Sequence, residues 1–198
     1  MKITVLMGSP REVNTNAMVE AFKGGAEEAG HEVTVLNVGK MKIAGCLACE
    51  YCHTKGDGEC IQKDDMIKIY PELEECEALV FASPIYYFTM TAQIQAAIQR
   101  IYAIDHPPVA TKAALMLSSM SPDVYDGAIG EYNGILDYMD LEDRGVIAVC
   151  DPDNGTEETP VSYTHLDVYK RQVKYSGKYM FSAMPLHIIK SPFPIYRT

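Results

Sequence analysis

"ITVLMGSPREVNTNAMVEAFKGGAEEAGHEVTVLNV", residues 3–38, decides the fold class. Its first five residues are apolar without alternation, as in a parallel strand covered on both faces. "GSPREVNTN" then leads into a segment where Met18, Ala21, Phe22, Gly25, Ala26 and Ala29 recur at helical spacing. Asn14, Thr15 and Asn16 are candidate N-caps for that helix, and Gly30 suits its stop. "HEVTVLNV" supplies a second strand, which completes a strand–helix–strand unit.

The same alternation continues along the chain. "EALVFASP" (77–84), "KAALMLSS" (112–119) and "GVIAVC" (145–150) read as strands three to five. Ile94, Ala97, Ile98 and Ile101 stripe the helix between the third and fourth, which ends before Pro107-Pro108. A helix near 130–141 precedes the fifth strand, and Asp64 can cap another through "DMIKIYPELEE", which Pro71 would kink or shorten. This order predicts an α/β protein with a doubly wound sheet of five parallel strands, whose ligand-binding loops follow strands one, three and four.

A chain of 198 residues, 47% hydrophobic, suits one well-cored domain. Its net charge of -10 argues against nucleic-acid or anionic-membrane partners, which need a basic footprint. With no cleavable leader and no apolar run of membrane length, the expected location is cytoplasmic. In that reducing compartment clustered cysteines serve more often as metal ligands or redox groups than as disulfides.

Composition changes near Pro160. Residues 1–159 carry 11 Lys+Arg against 26 Asp+Glu, whereas residues 160–198 carry 6 against 1, with five tyrosines and four prolines and no sustained period. Thr159 and Pro160 could open a helix, but no apolar stripe follows. The division is therefore a domain over 1–159 and a non-native or disordered tail over 160–198, with the last helix of the sheet missing or replaced.

The loop after strand one places Gly8, Ser9, Arg11, Thr15 and Asn16 where a phosphate would meet a helix N-terminus. The alternative for this stretch alone is a simple capped turn. The loop after strand three, "SPIYYF", sets Ser83, Pro84, Tyr86, Tyr87 and Phe88 where a planar ring could lie, or else forms a buried aromatic turn. Between strand two and strand three, Cys46, Cys49, Cys52 and Cys60 are spaced C-x2-C-x2-C-x7-C, with Gly45, Gly56 and Gly58 to let the segment curl. That spacing suits the corners of a [4Fe-4S] cluster, while free or redox-switching thiols and structural zinc stay open as alternatives. Cys76 and Cys150 read as small core residues, and His53 as an exposed loop residue.

Taken in order, "GSPR...NT", "GC-x-x-C-x-x-C...G-x-C...DDM" and "SPIYY" resemble the NADPH-dependent FMN reductase family, in particular its iron-sulfur flavoprotein branch, over residues 1 to about 158. The resemblance implies a flavodoxin-like fold with FMN as cofactor, NAD(P)H as co-substrate and a [4Fe-4S] cluster on Cys46, Cys49, Cys52 and Cys60. Ser9, Arg11, Thr15 and Asn16 would hold the FMN phosphate. Pro84, Ile85, Tyr86 and Phe88 would border the isoalloxazine, and Ser118 and Ser119 would begin the third flavin loop. The implied activity is an FMN-dependent oxidoreductase that moves electrons between a small-molecule or protein donor and an acceptor, in a homodimer or homotetramer. The other readings are a non-catalytic flavodoxin-like electron carrier and a zinc-stabilised binding module without flavin. Gln95 and Gln99 stand where the family often has Lys and Asp, and Arg100 is kept. "VSYTHLDVYKRQ", residues 161–172, is similar to a recurrent string fused to unrelated proteins in assembled environmental sequences, which places the end of the genuine frame near Pro160 and leaves Tyr163 and His165 without function.

Overall fold

The structure is a computed structural model that describes residues 1–150 together with Met180 and Phe181. Five strands, β1 (Lys2–Met7), β2 (Glu32–Leu36), β3 (Ala78–Pro84), β4 (Lys112–Ser119) and β5 (Glu142–Cys150), form one sheet in the order β2-β1-β3-β4-β5. Every neighbouring pair is parallel, with Leu6 opposite Leu36 and Phe81, and Phe81 opposite Leu115. The alternation in the sequence accounts for the parallel pairing, because parallel neighbours need crossovers that carry helices, and the order observed is the flavodoxin-like one.

Continuous apolar strands are buried on both faces. On one face Leu6, Leu79, Phe81, Leu115 and Leu117 pack against Ile94, Ala97 and Ile101 of α4 (Ala92–Ile101) and against Tyr132 and Leu136 of α5 (Asp126–Met139). On the other, Ile3, Val5, Met7, Val80, Ala82, Ala114 and Met116 meet Met18, Phe22 and Ala26 of α1 (Asn14–Glu28). Two residues per strand repeat therefore serve opposite cores, the period-two geometry of a pleated strand.

Three local expectations change. The N-cap of α1 is Val13, without a side-chain cap bond, so Asn14, Thr15 and Asn16 are the first helical turn rather than its cap. The single helix expected after Asp64 is two pieces. Asp64 accepts the Met66 amide at 3.1 Å and caps a 3-10 turn (Asp65–Lys68), after which the short α3 (Tyr70–Glu74) places Pro71 in its first turn, where a missing amide costs nothing. Finally, α5 runs from Asp126 to Met139 and so begins four residues before the expected start near 130.

β4 and β5 slip register between Ala113 and Leu115, where Gly145 takes a φ of 108° and its amide bonds Asp143 Oδ1 at 2.8 Å. Tyr132 donates to the same carboxylate oxygen at 2.8 Å and pins α5 to this bulge. Beside it, Met180 and Phe181 are 3% and 5% exposed and join the α1 core; the Phe181 ring meets Phe22 edge-on at 6.2 Å, and Arg144 Nε donates to the Met180 carbonyl at 2.7 Å. These two residues of the 160–198 segment are thus part of the packed fold. The expectations about Thr159, Pro160, Tyr163, His165 and a missing final helix lie outside the described residues. Among the described residues no helix is long and apolar enough to cross a membrane.

Candidate functional site

The chain leaves β1 toward β2 on one side and enters β3 on the other, so the carboxyl ends of β1 and β3 flank a topological switch point. Gly8 closes β1 there. Its amide bonds the Ala82 carbonyl at 2.8 Å, and a Cβ on it would fall 2.7 Å from both Ile94 Cβ and Thr91 Oγ1, which explains why glycine occupies the position. Thr91 was not singled out from the sequence, yet it is fully buried and joins three elements. Its hydroxyl donates to the Gly8 carbonyl at 2.8 Å and caps α4 by accepting the Ile94 amide at 3.5 Å, while its own amide donates to Ser83 Oγ at 3.0 Å. A threonine directly before the Ile94 stripe was the available signal.

The phosphate-side candidates divide by burial. Ser9 is buried and turned into its own loop, its hydroxyl donating to the Arg11 carbonyl at 2.8 Å. Thr15 is buried in the first turn of α1 and shares a 2.8 Å hydrogen bond with Ser118 Oγ at the end of β4. That bond, between residues 103 apart in sequence, joins the first and third candidate loops. Asn16 is half-buried and Arg11 exposed, both beside the helix N-terminus, where first-turn amides favour an anion. Ser119 bonds the Tyr125 hydroxyl at 2.6 Å and the Ser121 carbonyl at 2.7 Å, which folds the loop after β4 back on itself.

The ring-side candidates form an exposed turn rather than a buried one. Pro84 ends β3 buried, and the Ile85 amide continues the ladder to the Ser118 carbonyl at 2.7 Å. Tyr86 and Thr89 then pair through bonds of 3.0 and 3.3 Å around Tyr87 and Phe88, whose φ values are 54° and 71°. Two positive φ values in a two-residue turn normally call for Asn or Gly, since a Cβ in this region costs about 1–2 kcal/mol per residue. Here the sequence spends that strain on aromatic side chains held in solvent, Tyr87 being 95% exposed.

The cysteine segment leaves the edge of the same sheet. Cys46 and Cys49 are exposed, Cys52 and Cys60 half-buried, and all four are free thiols. Cys52 lies in a one-turn helix, α2 (Tyr51–Thr54), whose Tyr51 carbonyl receives the Lys55 and Gly56 amides; Gly58 bonds the Cys52 carbonyl at 3.0 Å with φ 85°. A Cβ on Gly56 would run into Tyr51 and the Glu59 carbonyl. Cys52 and Cys60 are near enough for the Cys60 charge to be felt at Cys52, whose thiol is pushed up chiefly by burial. His53 belongs to α2 and not to a loop; its ring stacks edge-on to Tyr102 at 4.5 Å and contacts the Tyr102 carbonyl at 2.8 Å. Among the described residues no three His, Cys, Asp or Glu side chains are drawn together to hold a metal ion. The donor chemistry, four thiols on one segment, fits a thiophilic metal or an iron-sulfur cluster.

Both stems of the segment are tied at one ion pair, with Arg100 buried and Asp64 half-buried. Arg100, on α4, is 1% exposed, and its Nη1 donates to Asp64 Oδ2 at 2.7 Å and to the Ala44 carbonyl at 3.0 Å, while Nη2 donates to the Gln62 carbonyl at 3.2 Å. Asp64 Oδ2 also accepts the Ala44 amide at 3.0 Å. Burial opposes the charge on Asp64, but Arg100 and the amides of Ala44 and Met66 outweigh it and hold the carboxyl below its ordinary range. Burial likewise opposes the charge on Arg100, and Asp64 more than restores it. Gln62 and Gln99 add bonds to the Gly45 carbonyl at 3.0 Å and from the Cys46 amide at 3.4 Å.

The sequence model of the NADPH-dependent FMN reductase family matches residues 1–133. An iron-sulfur flavoprotein of Archaeoglobus fulgidus is 38% identical over 109 residues, 54% of this chain and 49% of that protein. One of Methanocaldococcus jannaschii is 36% identical over 104 residues, 52% of each. The chain spans about half the length of the curated relatives it matches. In three dimensions it resembles an NAD(P)H:quinone oxidoreductase from Methanothermobacter marburgensis (TM-score 0.62, 17% identity, covering 94% of this chain and 99% of that one). It also resembles an azoreductase from Bacillus anthracis (0.61, 13%, 90% and 99%). At such identities these two likenesses concern the fold alone.

Proposed function

The chain belongs to the NADPH-dependent FMN reductase family, and from that premise we propose that it is an FMN-dependent oxidoreductase that accepts electrons from NAD(P)H or a protein donor and passes them to a small acceptor. The observation that carries this reading is the Thr15–Ser118 bond, which brings the loops after β1 and β4 together beside the strained aromatic turn after β3. FMN, when bound, would supply the redox chemistry, so the protein needs no acid–base pair of its own.

The chain's own residues then bind and orient. The first turn of α1 and Arg11 offset phosphate charge in an otherwise acidic protein. Thr15, already hydrogen-bonded to Ser118, and Asn16 would hold the phosphate end. Pro84, Ile85, Tyr86 and Phe88 would border the isoalloxazine, and Ser118 and Ser119 would begin the third flavin loop. Tyr87 and Phe88, exposed beside the switch point, would be available to cover a bound ring. In the cysteine segment, Cys46, Cys49, Cys52 and Cys60 would ligate a [4Fe-4S] cluster, in keeping with the names of the matched relatives. The exposed rings suit a second copy of this chain, giving a homodimer or homotetramer, and the reduced thiols suit the cytoplasm.

An absorption spectrum with iron and sulfide analysis on protein purified without oxygen tests both parts. Flavin bands with about four irons per chain are expected. Flavin without iron returns the four cysteines to thiol chemistry, and a colourless protein that binds no added FMN refutes the reading. Steady NAD(P)H oxidation separates an enzyme from a flavodoxin-like carrier.

A further inference from the structure

Two of the candidate loops rest their backbone on a glycine of a neighbouring element. Gly39 lies in the 3-10 turn after β2 (Val38–Lys40), and a Cβ on it would fall 2.4 Å from the carbonyl carbon and oxygen of Ser9 and 2.8 Å from the Pro10 nitrogen. Gly127 lies in the first turn of α5, where a Cβ would fall 2.5 Å from the Phe88 carbonyl oxygen. Neither takes a positive φ, so room rather than backbone conformation calls for glycine at both positions. A Cβ needs at least 3.0 Å, so alanine at either position obliges one partner to retreat.

The partner that gives way is the loop. Val38 is wholly buried in the α4-side core, and Lys42 and Asp65 exchange bonds of 2.8 and 3.1 Å just beyond the turn, which fixes Gly39 from both sides. Gly8 is held by Ala82 and Thr91, so the displacement falls on residues 9–12, which carry Arg11 and lead into α1. Lys40 and Glu12 form an ion pair across the same junction. At the other end, buried Ala128 and the Tyr132–Asp143 bond hold α5, whereas Tyr87 and Phe88 stand in solvent.

We infer, on the reading that the site holds FMN, that Gly39 and Gly127 are positioning residues, one for each end of the cofactor. Gly39 lets the loop after β1 settle where its amides and Arg11 meet the phosphate, and Gly127 lets the aromatic turn settle where it borders the isoalloxazine. Neither glycine has a side chain with which to touch a ligand, so each acts through the loop that rests on it. The two loops lean on different elements, so the two ends are separable by mutation.

The test compares FMN with riboflavin, which lacks only the phosphate, by equilibrium binding to the flavin-free full chain. Gly39→Ala is expected to lower the preference for FMN over riboflavin by about 10- to 100-fold, the worth of one hydrogen bond to a charged group. Riboflavin affinity should stay within about two-fold of the parent. The preference is a ratio of two affinities for the same folded fraction, so partial unfolding cancels from it. Gly127→Ala is expected to weaken both flavins by about 2- to 10-fold, the worth of an aromatic contact, at unchanged preference. The visible circular dichroism of bound riboflavin, which reports the surroundings of the ring, should change in Gly127→Ala and stay parental in Gly39→Ala. Gly24→Ala in α1 and Gly130→Ala in α5 are the controls. A Cβ at either meets nothing within 4 Å, so both should raise the urea midpoint and leave both affinities unchanged. Parental preference in Gly39→Ala, or parental affinity and dichroism in Gly127→Ala, would overturn the assignment, as would equal losses in the controls. A parent that binds neither flavin refutes the FMN reading itself, whereas a parent that binds FMN beside glycine variants that match it refutes this inference alone.

Discussion

Thr91→Val tests whether the two loops at the switch point are held by one hydroxyl. The change is nearly isosteric, so it removes hydrogen bonds without opening a cavity. Two bonds are lost: the cap on the Ile94 amide and the donation to the Gly8 carbonyl at 2.8 Å. Loss of a helix cap costs about 1 kcal/mol, and a buried carbonyl left without a donor about 1–3 kcal/mol. Together they predict a destabilisation of about 2–4 kcal/mol, with the amide bond to Ser83 Oγ retained. Urea unfolding of the FMN-free protein, read by far-UV circular dichroism, measures it as a lower midpoint at unchanged slope. Thr91→Ser, which keeps the hydroxyl, should lose far less. Because Gly8 and Ser83 precede the phosphate-side and ring-side loops, FMN affinity should fall with stability in Thr91→Val and recover in Thr91→Ser. A Thr91→Val midpoint within about 0.5 kcal/mol of the parent would refute the argument that this hydroxyl ties β1 to α4.

Three other outcomes follow from particular contacts. Phe181→Ala removes the ring that meets Phe22 edge-on and should cost about 3–5 kcal/mol in urea unfolding; an unchanged midpoint would show that the chain beyond β5 contributes nothing to the core. Tyr87→Asn replaces an exposed ring at positive φ by a residue that tolerates it, and should raise the stability of the flavin-free protein by up to about 1 kcal/mol while weakening FMN binding; lower stability would mean the ring has packing value that its exposure hides. The pH profile has two edges. Asp64, held below its ordinary range by Arg100 and two amides, stabilises the fold above the unfolded carboxyl value near ~4, and that stability is lost as pH falls through the lower folded value. Tyr70, pushed up to about 12 by burial, keeps its proton in the fold where the unfolded phenol loses it, so stability declines from about pH 10 toward 12. Asp64→Asn should flatten the acid edge and Tyr70→Phe the alkaline one in denaturant titrations across pH.

Much of the architecture was legible from local pattern. "ITVLM", "EALVFASP" and "KAALMLSS" read as strands because they lack alternation, and the structure buries their two faces in different cores. Capping residue types stand in the first turn of α1 without capping it; the backbone at Val13, rather than the side-chain chemistry, sets the helix start. The helix after Asp64 broke into two because Pro71 and the Asp64 cap each demand a first turn, and the segment has too few residues for both to share one. The aromatic turn was placed correctly along the chain, but its exposure and its strained φ values had no local signature.

The sequence by itself determined the strand–helix alternation and which residue types lie in each loop: donors after β1, aromatics after β3, thiols between β2 and β3. Those properties depend on periodicity and composition within a few residues. Only the tertiary structure decided that Thr15 meets Ser118, that Thr91 joins Gly8 to Ser83, that Met180 and Phe181 enter the α1 core, and that Arg100 closes the neck of the cysteine segment on Asp64. Each joins elements far apart in sequence or depends on which way a buried polar side chain turns. That direction is set by the need to satisfy donors and acceptors removed from water, a condition that exists only once the sheet and its helices have packed.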